Sequence, residues 1–77
     1  MNDDEKLRAF EAQAEDAYAA MYDAPNSTAA AGCYSNAKEA LYDAIGLARR
    51  LGKADVAAQL EARLNHIKAV FRSQFGT

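Results

Sequence analysis

The chain has 77 residues, a mass of 8.3 kDa, 51% apolar residues and a formal net charge of −2, which sizes it as a single domain over residues 1–77 with no room for a second. Nineteen of the apolar residues are alanine, and the larger core material is six Leu, two Ile, two Val and three Phe, so the expected core is thin. A lone cysteine, Cys33, excludes an internal disulfide, and a lone histidine, His66, excludes the Cys/His clusters of structural zinc, which leaves association with another chain as the expected support for so small a fold.

The first helix is expected from about residue 4 to 24. Leu7, Phe10, Ala14, Ala17 and Met21 recur at alternating spacings of three and four, the seam of an amphipathic helix, and Pro25 ends it. A second helix is expected from about 28 to 51. Asn26, Ser27 and Thr28 supply turn and N-cap chemistry ahead of three alanines. A rival start lies at Asn36, with Glu39 three residues on in the manner of a capping box. Tyr34, Ala37, Leu41, Ala44, Ala48 and Leu51 form the stripe, Ile45 and Leu47 widen it, and Gly52 supplies the stop. A third helix is expected from about 55 to 75, capped by Asp55 and striped by Val56, Leu60, Leu64, Ile67, Phe71 and Phe75.

No stretch alternates with the period of two that a half-buried strand requires, so the chain reads as all-α. Short turns near Asn26 and Lys53 make successive helices antiparallel neighbours. The expected architecture is an antiparallel three-helix, up-down-up bundle, with a helical hairpin exchanged between two chains of a dimer as its variant.

Charge is distributed unevenly. Residues 1–25 carry seven acids and two bases, net −5, whereas residues 26–77 carry four acids and seven bases, net +3. Most of this matches helix ends: Asp3, Asp4 and Glu5 at a helix start, Arg49, Arg50, Lys53 and Arg72 near helix C-termini, each opposing the local dipole. The opening MNDDEK is acidic where a signal peptide would be basic, and no apolar run approaches bilayer thickness. The expected location is cytoplasmic, away from membranes.

Residue types able to carry chemistry are sparse. His66 has Ala62, Arg63, Ala69 and Val70 as its helical neighbours, with no carboxylate to orient it as a general base. The acid pairs Glu11/Glu15 and Glu39/Asp43 have helical spacing, but a di-metal bundle site also needs Glu-x-x-His motifs, and the sequence has none. Cys33 lies on an Ala-rich stretch with no base beside it in sequence and reads as a small packed residue. The glycines at 32, 46, 52 and 76 form no phosphate loop. Neither an enzyme nor a cofactor or metal is expected.

Two short helices joined by a tight turn also suit a helix-turn-helix. Arg63, Asn65, His66, Lys68 and Arg72 would be the reading face of the third helix, giving a DNA-associated regulator as the alternative function, against a sequence pI of about 5.2 that lacks the usual basic footprint. Ala37-x-x-x-Leu41-x-x-Ala44 followed by Gly52 resembles the second helix and turn of a tetratricopeptide hairpin. The first-helix pattern of that repeat is missing upstream and no copy follows at its period of about 34 residues, so no functional residue is carried over.

"MYDA" at 21–24 returns as "LYDA" at 41–44. On helices, Met21 and Leu41 fall on the inner seams, and each Tyr stands about 100° away, at the seam's edge. Tyrosine tolerates half-exposed contact and is enriched at interfaces. Tyr18, Tyr22, Tyr42 and Leu47, apolar positions off the inner seam, are therefore the candidate interface residues. The expected function is a small self-associating interaction module or subunit, a homodimer first and a partner of another protein second, with nucleic acid the less favoured ligand.

Overall fold

The computed structural model describes residues 2–74. Three α-helices account for nearly all of them: α1 Asp3–Asp23, α2 Ser27–Arg50 and α3 Ala54–Gln74. No strand occurs among the described residues. Each helix begins one residue earlier than the periodicity suggests, and the reasons are local. Phe75, the expected end of the third stripe, lies outside the described residues.

Asn2 opens α1, its Oδ1 accepting the Glu5 amide proton at 2.8 Å, while Asp3, Asp4 and Glu5 place negative charge on the first turn. The helix stops at Asp23. Ala24 precedes proline and adopts an extended backbone, φ −65° and ψ 137°, as the ring of Pro25 requires of its predecessor. Asn26 then caps α2, its Oδ1 accepting from the Ala29 amide at 2.8 Å. The rival start at Asn36 is thereby overturned: that residue lies inside α2, because the cap at Asn26 and the alanines after it outweigh the helix penalty of Gly32.

At the far end of α2, Gly52 takes φ +73°. Its amide donates to the Arg49 carbonyl at 3.1 Å, and the Lys53 amide donates to the Ala48 carbonyl at 2.9 Å, the paired bonds of a Schellman stop. The Lys53 carbonyl accepts from the Ala57 amide at 3.0 Å, so α3 starts at once. Asp55 is consequently not the cap; it sits within the first turn of α3, where its charge opposes the dipole instead.

The buried set is Leu7, Ala14 and Met21 from α1, Leu60, Leu64, Ile67 and Ala57 from α3, and eight residues of α2. That share makes α2 the central element. Phe10, Tyr18, Tyr34, Leu51 and Val56 pack against this core from its margin. No buried side chain among the described residues is polar or charged.

Long side chains mark how the helices lie. Lys53, in the turn before α3, pairs with Asp4 of α1, and Arg63 of α3 pairs with Glu15 of α1, while Tyr34 meets Phe71, Tyr42 meets Lys68 and Arg49 meets Glu61, joining α2 to α3. The backbones of α1 and α3 scarcely approach one another. The molecule measures 38 × 22 × 12 Å, a flattened body in which α2 stands between two flanking helices.

Candidate interaction surface

Tyr18 and Tyr22 lie one turn apart on α1, and their hydroxyls are 3.0 Å from each other, with ring centroids 5.4 Å apart in an edge-on arrangement. Tyr22 is 52% exposed, and Tyr18 is half-buried. Across the seam, the Arg63 guanidinium carbon stands 4.8 Å from the Tyr18 ring centroid, within cation–π range. The same guanidinium donates twice to Glu15, Nε to Oε2 at 2.8 Å and Nη2 to Oε1 at 2.6 Å. That fork holds the Glu15 carboxyl below the usual range, chiefly through the Arg63 hydrogen bond. The Tyr22 hydrogen bond, aided by burial, pushes the Tyr18 phenol up.

Tyr42, 53% exposed, belongs to a different edge. The Lys68 ammonium donates to its hydroxyl at 3.1 Å and stands 5.5 Å from its ring centroid, and the Lys68 bond draws the phenol below its ordinary value. One turn back along α2, the Lys38 ammonium stands 4.6 Å from the Tyr34 ring centroid. Tyr34 in turn stacks on Phe71, centroids 4.0 Å apart and planes within 2°. Rings and ammonium groups thus alternate along the α2–α3 edge. The sequence reading missed this row because it depends on how α2 and α3 are rotated, although Tyr34, Lys38 and Tyr42 recurring every four residues gave half of the signal.

Leu47 does not join the tyrosines. It is only 4% exposed and belongs to the core cluster, so it cannot form part of an exposed surface of this chain. The cause is the central position of α2, which buries a wider arc than a helix with one neighbour. The structure therefore brings Tyr18 and Tyr22 together, sets Tyr42 on another edge and turns Leu47 inward.

The residues named for other chemistries are dispersed. His66 is exposed, its ring edge-on to Tyr18 at a centroid distance of 6.3 Å. Cys33 is a half-buried free thiol. Among the described residues no group of three His, Cys, Asp or Glu is placed to hold a metal ion. A shallow groove between α1 and α2 collects Asp16, Glu39 and Asp43. Of the candidate DNA-reading face, Arg63 and Lys68 are drawn back onto Glu15 and Tyr42. No helix among the described residues is long and apolar enough to cross a membrane.

Comparison of the chain with protein-family models, with curated proteins and with solved structures finds no match. The surface itself carries the functional reading.

Proposed function

We propose that the chain is an interaction module that pairs with a second copy of itself, with its three helices running up, down and up. The observation that carries this reading is the pair of exposed tyrosines, Tyr22 and Tyr42, on a chain whose buried set of fifteen residues includes seven alanines. A core so poor in large side chains leaves stability to be gained by covering apolar surface elsewhere, and tyrosine supplies contact area at small entropic cost.

The up-down-up order is supported by the contacts. Asp4 with Lys53 and Glu15 with Arg63 run in the same sense along α1 and α3, whereas Tyr34 with Phe71 and Arg49 with Glu61 run in opposite senses along α2 and α3. An exchange hinged at the second turn would have to open the Schellman bonds at Arg49 and Ala48, so we take each chain to keep its own α3.

Sedimentation velocity on the purified full chain, from micromolar to millimolar concentration, tests the proposal. The expected result is a mass that rises with concentration to twice 8.3 kDa. A monomer throughout that range overturns it.

A further inference from the structure

Two ammonium groups from different helices gather at the hydroxyl of Tyr42. Lys68 of α3 donates to that oxygen at 3.1 Å and stands 5.5 Å from the ring centroid. Lys38 lies one turn back along α2, on the same side of the helix, with its ammonium 4.6 Å from the Tyr34 ring centroid. The Lys68 hydrogen bond and charge, and after them the Lys38 charge, draw the Tyr42 phenol down, so both cations act on one oxygen. The stack of Tyr34 on Phe71 ties α2 to α3 at one end of this row.

These cations differ from the others that reach between elements. Arg49 meets Glu61, Lys53 meets Asp4 and Arg63 meets Glu15, whereas among the described residues neither Lys38 nor Lys68 has a carboxylate partner. The acids that follow Lys38 and Tyr42 in sequence do not supply one. Glu39 and Asp43 stand about 100° further round the helix and line the groove between α1 and α2 with Asp16. Helix α2 thus separates an acidic side from a basic one, and Arg72, exposed one turn beyond Lys68, adds a further positive charge to α3. Two like charges brought to one hydroxyl repel each other until an anion joins them.

We infer that the Lys38, Tyr42 and Lys68 cluster is a binding site for a phosphate monoester. Two ammonium groups match the charge of nearly −2 that such a group carries near neutral pH, and its three oxygens can take several donors at once. Each ammonium has three protons, of which Lys68 spends one on Tyr42, and the Tyr42 hydroxyl accepts that bond while keeping its own proton to donate. Three donors from two helices therefore reach one anion, and all their bonds to it are charge-assisted. The Tyr42 ring, 53% exposed, offers an apolar flank to the organic part of the ester. This site is independent of the self-association proposed above and lies on an edge open to solvent, so salt weakens it.

Titration of the full chain with phenyl phosphate at low ionic strength, followed by amide NMR shifts, tests the assignment. The expected result is saturable shifts along the α2–α3 edge, with a dissociation constant on the order of 1 mM. Lys38→Gln and Lys68→Gln are each expected to raise that constant about threefold or more and Tyr42→Phe about twofold, with thermal melts confirming that each variant is folded. Lys6→Gln on α1 is expected to leave it unchanged. Dimethyl phosphate, a single negative charge, is expected to bind about threefold or more weakly than phenyl phosphate. Shifts spread over all the lysine-bearing surfaces, Lys38 and Lys68 variants that bind as well as the parent, or equal binding of dimethyl phosphate would overturn the site. An oligothymidylate without terminal phosphates that binds more tightly through the same two lysines overturns the monoester in favour of a polynucleotide backbone.

Discussion

Glu15 shows how a surface carboxylate can be tied to the folded state. Arg63 holds its folded-state pKa below the 4.5 that it takes in an unfolded chain. The native state therefore binds fewer protons than the unfolded one as acid is added, so the stabilisation is complete above about pH 4.5 and is lost as pH falls through the depressed value. Because both side chains are more than a third exposed, solvent screening limits the contribution to under about 1 kcal/mol. Replacing Arg63 by Gln is expected to raise the Glu15 pKa toward 4.5, read by NMR titration of its side-chain carboxyl, and to flatten the acid limb of stability against pH.

Residues also show where the sequence was readable. Met21 and Leu41 are fully buried, with Tyr22 and Tyr42 about half exposed and Asp23 and Asp43 in water, so the repeated Tyr-Asp pair is one inward-to-outward pattern met twice on two helices. The neighbours differ, Tyr18 for one and Lys68 for the other. Periodicity reports the direction of a side chain from its own axis. It carries nothing about the rotation of the next helix, which is why Arg63 with Glu15 and Tyr34 with Phe71 were invisible until the helices were placed.

At the scale of elements, the helices start one residue before the positions the periodicity suggests, because those ends are set by short-range chemistry. Asn26 and Gly52 act through their own neighbours, and both could be recognised in the string. Asp55 was misassigned because the Schellman turn ties the Lys53 amide back to Ala48, shortening the connection by one position. Two substitutions gauge these ends. Gly52→Ala places a Cβ at φ +73° and is expected to cost about 1 kcal/mol. Asn26→Ala removes the acceptor for the Ala29 amide and is expected to cost a similar amount, about 1 kcal/mol. Both are read as lower midpoints in urea denaturation, with the far-UV helix signal of the native state unchanged.

For the whole molecule the deciding feature is α2, which shares its apolar side with both neighbours. Leu47 is the test of that arrangement. Its periodicity put it off the inner seam, at a candidate interface, but a helix flanked on two sides buries positions that a helix with one neighbour would expose. Leu47→Ala is therefore expected to cost about 2–5 kcal/mol in folding stability, measured by chemical denaturation, while leaving the dissociation constant of the proposed dimer, for the folded fraction, unchanged. An interface residue would show the reverse.

The thin dimension of the body, 12 Å, is about the diameter of one helix with its side chains. A body of that shape has two broad sides and narrow edges. In the self-association proposed above, such an object would lay one flat side on another, and selectivity would come from the order of bumps, hollows and charges along a line.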